Sequence, residues 1–245
     1  WKETTDFLKC QQVHQDIILT YEDDFNKYSS RVNPELLRLT LHGVCHQIGQ
    51  KFTFSRISEG YRSVQIREAL NLLTLAGLVI PVVATSANGV PLDAESDDKR
   101  AKYLFLDSGL LLAILHLDGQ LGHDLIKLIM TATPQDLINK GSITEMVAGL
   151  EISRYKAPVM RPRLFYWEKT GNSIAEIDYL SIRSMKVLPI EIKAGTQGGM
   201  KSLWIFMREK HLTEAVRCSL ENFGSFEYID KEDDNAVRHV RICPL

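Results

Sequence analysis

The sequence predicts an α/β protein in two parts, and two observations support this class. Apolar residues recur at helical spacing through most of the first 75 residues, as in Leu37, Leu41 and Val44. From residue 164 onwards, short runs rich in β-branched and apolar residues alternate with one further helical segment. We therefore expect a helical N-terminal part followed by a mixed α/β part.

The N-terminal part has the element order of a winged helix. Residues 6–28 are predicted to be helical, and Asn33-Pro34 begins a second helix because proline fits its first turn. A short edge strand is expected next, and Ser63 begins a third helix that Gly77 ends. The edge strand and the later elements of this part fall at residues 52–54 (strand), 78–83 and 102–106 (a hairpin) and 107–117 (a helix).

The second part has a different rhythm. A domain boundary is expected at residues 118–120, since Asp-Gly-Gln interrupts the pattern there. Helices, then three consecutive strands, then a helix and further strands indicate a mixed α/β domain of nuclease size. The predicted helices span residues 124–130, 144–154 and 199–211, and the predicted strands span 164–167, 176–182, 187–193, 216–220, 226–229 and 237–242.

Composition limits the possible functions. The 245 residues carry 29 Lys and Arg against 31 Asp and Glu, a net charge of −2, and 44% are hydrophobic. This excludes a disordered chain, a collagen-like fibre and nucleic-acid binding through bulk charge alone. No apolar run approaches the roughly 20 residues of a membrane helix, so no membrane contact is expected.

The cysteines and the first residue carry further expectations. Cys10, Cys45, Cys218 and Cys243 lack C-x-x-C spacing, which predicts reduced thiols in a cytoplasmic protein. The chain begins at Trp1 without an initiator methionine, which indicates a fragment of a longer protein.

Acidic and basic side chains near one predicted hairpin carry the chemistry. Residues two apart in a strand share a face, so Glu191 and Lys193 project together. If the strands pair antiparallel around Arg183-Ser184, Asp178 lies beside Glu191. Two adjacent carboxylates repel unless a cation lies between them, and Mg²⁺ prefers such oxygen ligands. A metal ion with a nearby lysine suits phosphodiester cleavage, whereas an exposed salt bridge is the ordinary alternative for Glu-x-Lys.

This pattern resembles the PD-(D/E)XK nuclease superfamily, whose core is a helix, a three-stranded meander, a helix and a further strand. Almost the whole chain is similar to the C-terminal region of prokaryotic AAA-type ATPases that carry a nuclease-like domain of unknown function. The segments that carry this closer resemblance are residues 20–25 with 27–28, 86–92, 104–111, 141–145, 166–168, 175–179, 189–195 and 200–203.

The resemblance implies three regions: a helical linker over residues 1–33, a winged-helix-like domain over 34–119 and a restriction-endonuclease-like domain over 120–245. It implies an ATP-binding domain upstream, which these residues lack because no P-loop motif occurs in them. By position, Asp178 and Glu191 would bind Mg²⁺, and the helical Glu145 would bind it directly or through water. Lys193 would be the catalytic base or a charge stabiliser. Ile177 replaces the usual proline of the motif.

Basic residues suggest where DNA would lie. Residues 151–210 carry 11 Lys and Arg against 6 Asp and Glu, net +5, and these cations flank the proposed site. Arg183 and Lys186 belong to this set. The residues predicted to contact nucleic acid are Arg161, Arg163, Lys169 and, in the position of an accessory polar residue, Lys201.

DNA binding by the winged helix is the weaker alternative. The helix that begins at Ser63 would use Arg62, Ser63, Gln65 and Arg67. However, residues 1–120 carry 12 Lys and Arg against 15 Asp and Glu, net −3, and the hairpin loop is acidic. A linker domain that passes motion from the ATPase is therefore favoured.

Two hypotheses of different classes stand. The first is a Mg²⁺-dependent DNA phosphodiesterase controlled by its ATPase domain, with DNA and that domain as partners and a homo-oligomer as a possible assembly. The second is a non-catalytic module that binds DNA or a partner protein and regulates the ATPase. The first predicts that Asp178 and Lys193 are indispensable, and the second predicts that the metal is dispensable.

Overall fold

The structure is a computed structural model that describes residues 7–115, 140–155, 162–171, 174–196 and 198–245. The chain divides into two compact units. The first contains Trp1–Ile80 and Lys102–Met146, and the second contains Pro81–Ala101 and Val147–Leu245. The predicted helix over residues 124–130 and the predicted boundary at 118–120 lie outside the described residues.

Helices dominate the first unit and begin where local signals place them. Asn33 caps one helix, because its side chain accepts a hydrogen bond from the backbone N–H of Glu35 with Pro34 in the first turn. Gly77 follows another helix with φ +76°, a conformation that suits glycine. The helices are α1 (Phe7–Asp24), α2 (Pro34–His46), α3 (Ser63–Leu75), α4 (Ser108–Ile114) and α5 (Lys140–Arg154), the last continuing into the second unit.

The edge strand expected at residues 52–54 is wrong. A 3-10 turn over Phe54–Arg56 stands there instead. The backbone N–H of Thr53 donates to Gln47 Oε1 at 2.7 Å, and Phe52 packs edge-on against Phe54 and Tyr103. The extended residues therefore bond to a side chain and pack on rings, and they form no strand ladder.

A mixed eight-stranded sheet organises the second unit, with the order β2-β1-β3-β4-β5-β6-β8-β7. The pairs β3–β4, β4–β5 and β7–β8 are antiparallel, whereas β1–β3, β5–β6 and β6–β8 are parallel. The strands are β1 (Val79–Thr85), β2 (Ser96–Phe105), β3 (Leu164–Lys169), β4 (Ala175–Arg183), β5 (Lys186–Ile192), β6 (Glu214–Ser219), β7 (Gly224–Asp230) and β8 (Ala236–Pro244).

The hairpin that was predicted for the winged-helix-like domain, over residues 78–83 and 102–106, extends this sheet. Val82, Val83 and Ala84 of β1 pair in parallel with residues 164–166 of β3. These three residues are almost completely buried, so β1 lies inside the sheet and contributes to its core. By its contacts, Pro81–Ala101 belongs to the second unit.

One helix covers the sheet next to the candidate site. Helix α6 (Lys201–Glu209) packs on β4 through an apolar face that includes Leu203, Phe206 and Met207. Phe206 lies against Trp167 with ring centroids 4.8 Å apart. Burial of this face holds α6 against β4, the strand that carries Asp178.

Candidate functional site

The β4–β5 hairpin places the predicted site residues together. Arg183 pairs with Lys186 across a two-residue turn in which Ser184 and Met185 have positive φ, as such tight hairpin turns require. The register continues to Tyr179 opposite Ile190, and one further step sets Asp178 opposite Glu191. The predicted antiparallel pairing is confirmed.

Asp178 is held by the end of the neighbouring strand. Its Oδ2 accepts a hydrogen bond from the backbone N–H of Ile192 at 2.7 Å. The backbone N–H of Lys193 in turn donates to the Cys218 carbonyl of β6 at 2.8 Å. Backbone N–H groups at the end of β5 therefore hold the Asp178 carboxylate and join Lys193 to β6.

Glu191 is a buried carboxylate with incomplete hydrogen bonding. Its side chain is 7% exposed, and Lys193 Nζ donates to its Oε1 at 2.6 Å. The other oxygen, Oε2, is buried and has no hydrogen-bond partner. Burial, followed by the nearby Asp178 charge, raises the pKa of Glu191 to about 7, although Lys193 opposes the shift.

The loop after β5 shapes the position of Lys193. Gly198 has φ +144°, and a Cβ built there would lie 3.0 Å from the Lys193 Cδ atom. A side chain at position 198 would be strained at this φ, and the Lys193 stem would have to shift by a few tenths of an ångström. Arg217 of β6 is in register with Glu191, is buried, and donates to the Thr196 carbonyl of the same loop at 2.7 Å.

Sequence reasoning did not identify Gly198 or Arg217. The parallel pairing of β5 with β6 brings Arg217 opposite Glu191. It joins segments about 25 residues apart, so no local sequence pattern predicts it. A weak signal exists: Arg217 occupies an inward position of β6 between the buried Ala215 and Ser219. A charged residue at an inward position is unusual and could have been singled out.

Glu145 stands on α5 in the first unit. Lys102 Nζ donates to its Oε1 at 2.9 Å, and both side chains are largely buried. This ammonium compensates the charge of the Glu145 carboxylate within the first unit. In the part of the chain that the structure describes, no group of three or more His, Cys, Asp or Glu side chains could hold a metal ion.

The predicted nucleic-acid contacts differ in what surrounds them. Arg163 forms ion pairs with Asp93 and Asp98 at 3.0 and 2.8 Å, and Lys169 forms one with Glu209 at 2.7 Å. Those two cations already have carboxylate partners.

Lys201 is exposed at the start of α6, and Arg161 lies outside the described residues.

Arg183 and Lys186 do not flank the carboxylates. They occupy the turn end of the β4–β5 hairpin, whereas Asp178 and Glu191 lie at its other end. The interpretation that all of the basic residues surround the site is wrong for this pair, because sequence proximity does not show at which end of a strand a residue lies.

Two family models match separate parts of the chain, and both describe domains of unknown function. Residues 1–121 match the family model of a domain of unknown function, DUF8612, and residues 140–233 match that of another, DUF4143. The second domain is found C-terminal to AAA ATPases in prokaryotes. Neither the curated proteins nor the solved structures contain a match.

One property bears on membrane association. In the described ranges, no helix is long and apolar enough to cross a membrane.

Proposed function

We propose that the second unit is a Mg²⁺-dependent phosphodiesterase domain that cleaves DNA. The observation that carries this proposal is Glu191: a buried carboxylate, beside Asp178, whose Oε2 has no hydrogen-bond partner. A buried carboxylate in this state is costly unless a cation completes it. The residues therefore fit a divalent cation held by Asp178 and Glu191.

The order of elements supports a restriction-endonuclease-like fold for this unit. Helix α5 precedes the antiparallel strands β3, β4 and β5, and α6 then leads to β6, which pairs in parallel with β5. That is the arrangement which the resemblance implies. The same proposal includes a winged-helix-like fold for the helices of the first unit. It also includes an AAA-type ATPase domain as the partner.

The side chains divide the chemical work as follows. Asp178, held by the Ile192 N–H, and Glu191 would hold Mg²⁺, which when bound supplies a Lewis acid for the phosphodiester and activation of its attacking water. Lys193 brings a positive charge within 2.6 Å of Glu191 Oε1. Its ammonium stabilises the negative charge that accumulates on the reacting phosphate.

Plasmid nicking tests this function. Purified protein is incubated with supercoiled DNA and Mg²⁺, Mn²⁺ or EDTA, alongside Asp178→Asn and Lys193→Ala. Exposed residues of the same unit give matched controls, Glu227→Gln and Lys231→Ala. We expect metal-dependent nicking that falls at least a hundredfold in the two site variants and stays at the wild-type rate in the controls.

The outcome is interpretable only if the variants fold. Thermal unfolding and circular dichroism of each variant provide this check. Nicking that is equally fast in Asp178→Asn, or that persists in EDTA, would exclude this site as the source of cleavage.

A non-catalytic binding module is the second candidate, and the Lys193–Glu191 ion pair favours it. At 2.6 Å the ammonium already compensates one carboxylate oxygen without a metal. This candidate predicts DNA or protein binding that EDTA does not change. Calorimetric titration of Mg²⁺ into wild type and Asp178→Asn separates the two, because only the first candidate predicts binding that the substitution abolishes.

A further inference from the structure

A second concave site lies in the same unit, at the turn end of the β4–β5 hairpin. Residues of the turn, of the segment after α6 and of the segment after β1 enclose a cavity of about 400 Å³. We call it the basic groove, because its lining includes Arg183, Lys186, Lys210 and His211. Its volume is in the range of pockets for small organic ligands.

The cations of the basic groove outnumber its acids. Glu214 is the acidic residue in the lining, 3.8 Å from Arg183 Nη1. Arg183 and Lys186 are exposed, whereas Lys210 is 11% exposed, donates to Asn88 Oδ1 at 2.7 Å and lies 3.6 Å from Glu209 Oε1, outside the lining. The rim therefore carries a net positive charge with amide and hydroxyl groups beside it, which suits an anionic group.

The remaining lining is apolar. The partly exposed Leu212 contributes carbon surface, Met185 adds an exposed and flexible thioether, and the largely buried Ala87 and Val187 lie behind them. A bare inorganic anion makes no use of such a surface. A ligand that carries both an anionic group and a flat apolar part uses both halves of the lining.

Several residues that line the basic groove have left-handed backbone conformations. Among the residues that the structure describes, six other than glycine have φ in the left-handed range, and four of these line the groove. The four are Ala87, Ser184, Met185 and His211, with φ between 49° and 61°. Ser184 and Met185 adopt this conformation in the two-residue hairpin turn, and His211 adopts it directly after the C-cap of α6.

We propose that the basic groove binds a phosphate-bearing small molecule of nucleotide size. Its phosphate lies against Arg183, Lys186 and Lys210, and its flat apolar part lies on the carbon surface of Met185 and Leu212.

This site is separate from the carboxylate site. Lys186 and Ile192 are the two ends of β5, six residues apart, so about 20 Å of strand separates the groove from Asp178 and Glu191. The inference does not depend on the proposed nuclease activity, and each can fail without the other.

Calorimetry with three probes tests the inference on the whole chain. The probes are AMP, inorganic pyrophosphate and adenosine, which carry both parts, the anionic part and the apolar part respectively. We expect saturable binding of AMP, weaker binding of pyrophosphate, and adenosine binding at least tenfold weaker than AMP. The double variant Arg183→Ala/Lys186→Ala is expected to weaken AMP binding at least tenfold.

Two further variants control for charge and folding. Lys99→Ala/Lys231→Ala removes two exposed cations of the same unit that are not in the lining, and it should leave AMP affinity within twofold. Lys186→Glu reverses one exposed charge at the rim and should weaken AMP binding as the double alanine variant does.

Three results would overturn the inference. These are the absence of saturable binding of AMP and pyrophosphate to the wild-type chain, an unchanged AMP affinity in both groove variants, and binding of duplex DNA alone with the same dependence on Arg183 and Lys186. The last result would make the groove a contact for the DNA backbone and not a small-molecule site.

Discussion

Glu191 carries the clearest energetic signature at the scale of single residues. Burial and the Asp178 charge raise the pKa of Glu191 from 4.5 to about 7. Between these two pH values the folded protein therefore keeps a proton on Glu191 that the unfolded chain has released. The folded state therefore loses stability as pH rises from about 4.5 to 7, and the whole loss is present above 7.

Replacing this charge by an amide should stabilise the metal-free protein at alkaline pH. We expect Glu191→Gln to raise the free energy of unfolding at pH 8 by about 1–3 kcal/mol, with little change at pH 4, where the carboxyl is neutral. Urea unfolding in EDTA at both pH values measures this difference. Exposed Glu227→Gln provides the control, and an equal effect of both substitutions would contradict a special role of burial.

Binding of Mg²⁺ should compensate the negative charge of the buried Glu191 carboxylate. In the wild-type protein, Mg²⁺ at a hundredfold excess over its Kd should add about 2.7 kcal/mol to the free energy of unfolding. Asp178→Asn and Glu191→Gln should lose this gain, because each removes one of the two proposed carboxylate ligands. Thermal unfolding with Mg²⁺ and with EDTA measures it, and the same gain in all three proteins would place the ion elsewhere.

At the scale of elements, the loop between β5 and α6 is the part most sensitive to a small change. Gly198→Ala should destabilise the fold by about 1–3 kcal/mol, because alanine is strained at φ +144° and its Cβ would meet the Lys193 stem. Gly199→Ala is the matched control, since a Cβ there has open space. Chemical unfolding of both variants measures the difference, and equal stabilities would contradict the close approach of Lys193.

Elements whose causes are local could be predicted from sequence. Asn33-Pro34 begins α2, Gly77 follows α3, and the two-residue turn after Arg183 joins β4 to β5, each by chemistry confined to a few residues. The antiparallel hairpin then brings Asp178 beside Glu191. For that reason the centre of the candidate site was predictable.

Features set by distant contacts could not be predicted. The parallel pairing of β1 with β3 joins residues about 80 positions apart, and the Lys102–Glu145 pair joins residues 43 apart. Phe52 and Thr53 form no strand, because the Thr53 N–H donates to the Gln47 side chain and the Phe52 ring packs against Tyr103. In each case the sequence pattern allows several partners, and tertiary packing selects one.

At the scale of the whole molecule, the second unit is built from two separate stretches of chain. Val82, Val83 and Ala84 supply the parallel neighbour of β3. A fragment of residues 120–245 should therefore fold poorly, because the backbone groups and apolar side chains of β3 lose that neighbour. Gel filtration and circular dichroism should show aggregation or lost sheet structure, and a monomeric, cooperatively folded fragment would contradict this expectation.

The same division of the second unit affects the timing of folding during synthesis. The apolar strand β1 leaves the ribosome about 80 residues before its partner β3 exists. At 5–20 residues per second, that interval is about 4–16 s. During it, Val82 and Val83 have β2 as a neighbour but lack β3, so the other edge of this apolar strand is open to chaperones or to aggregation.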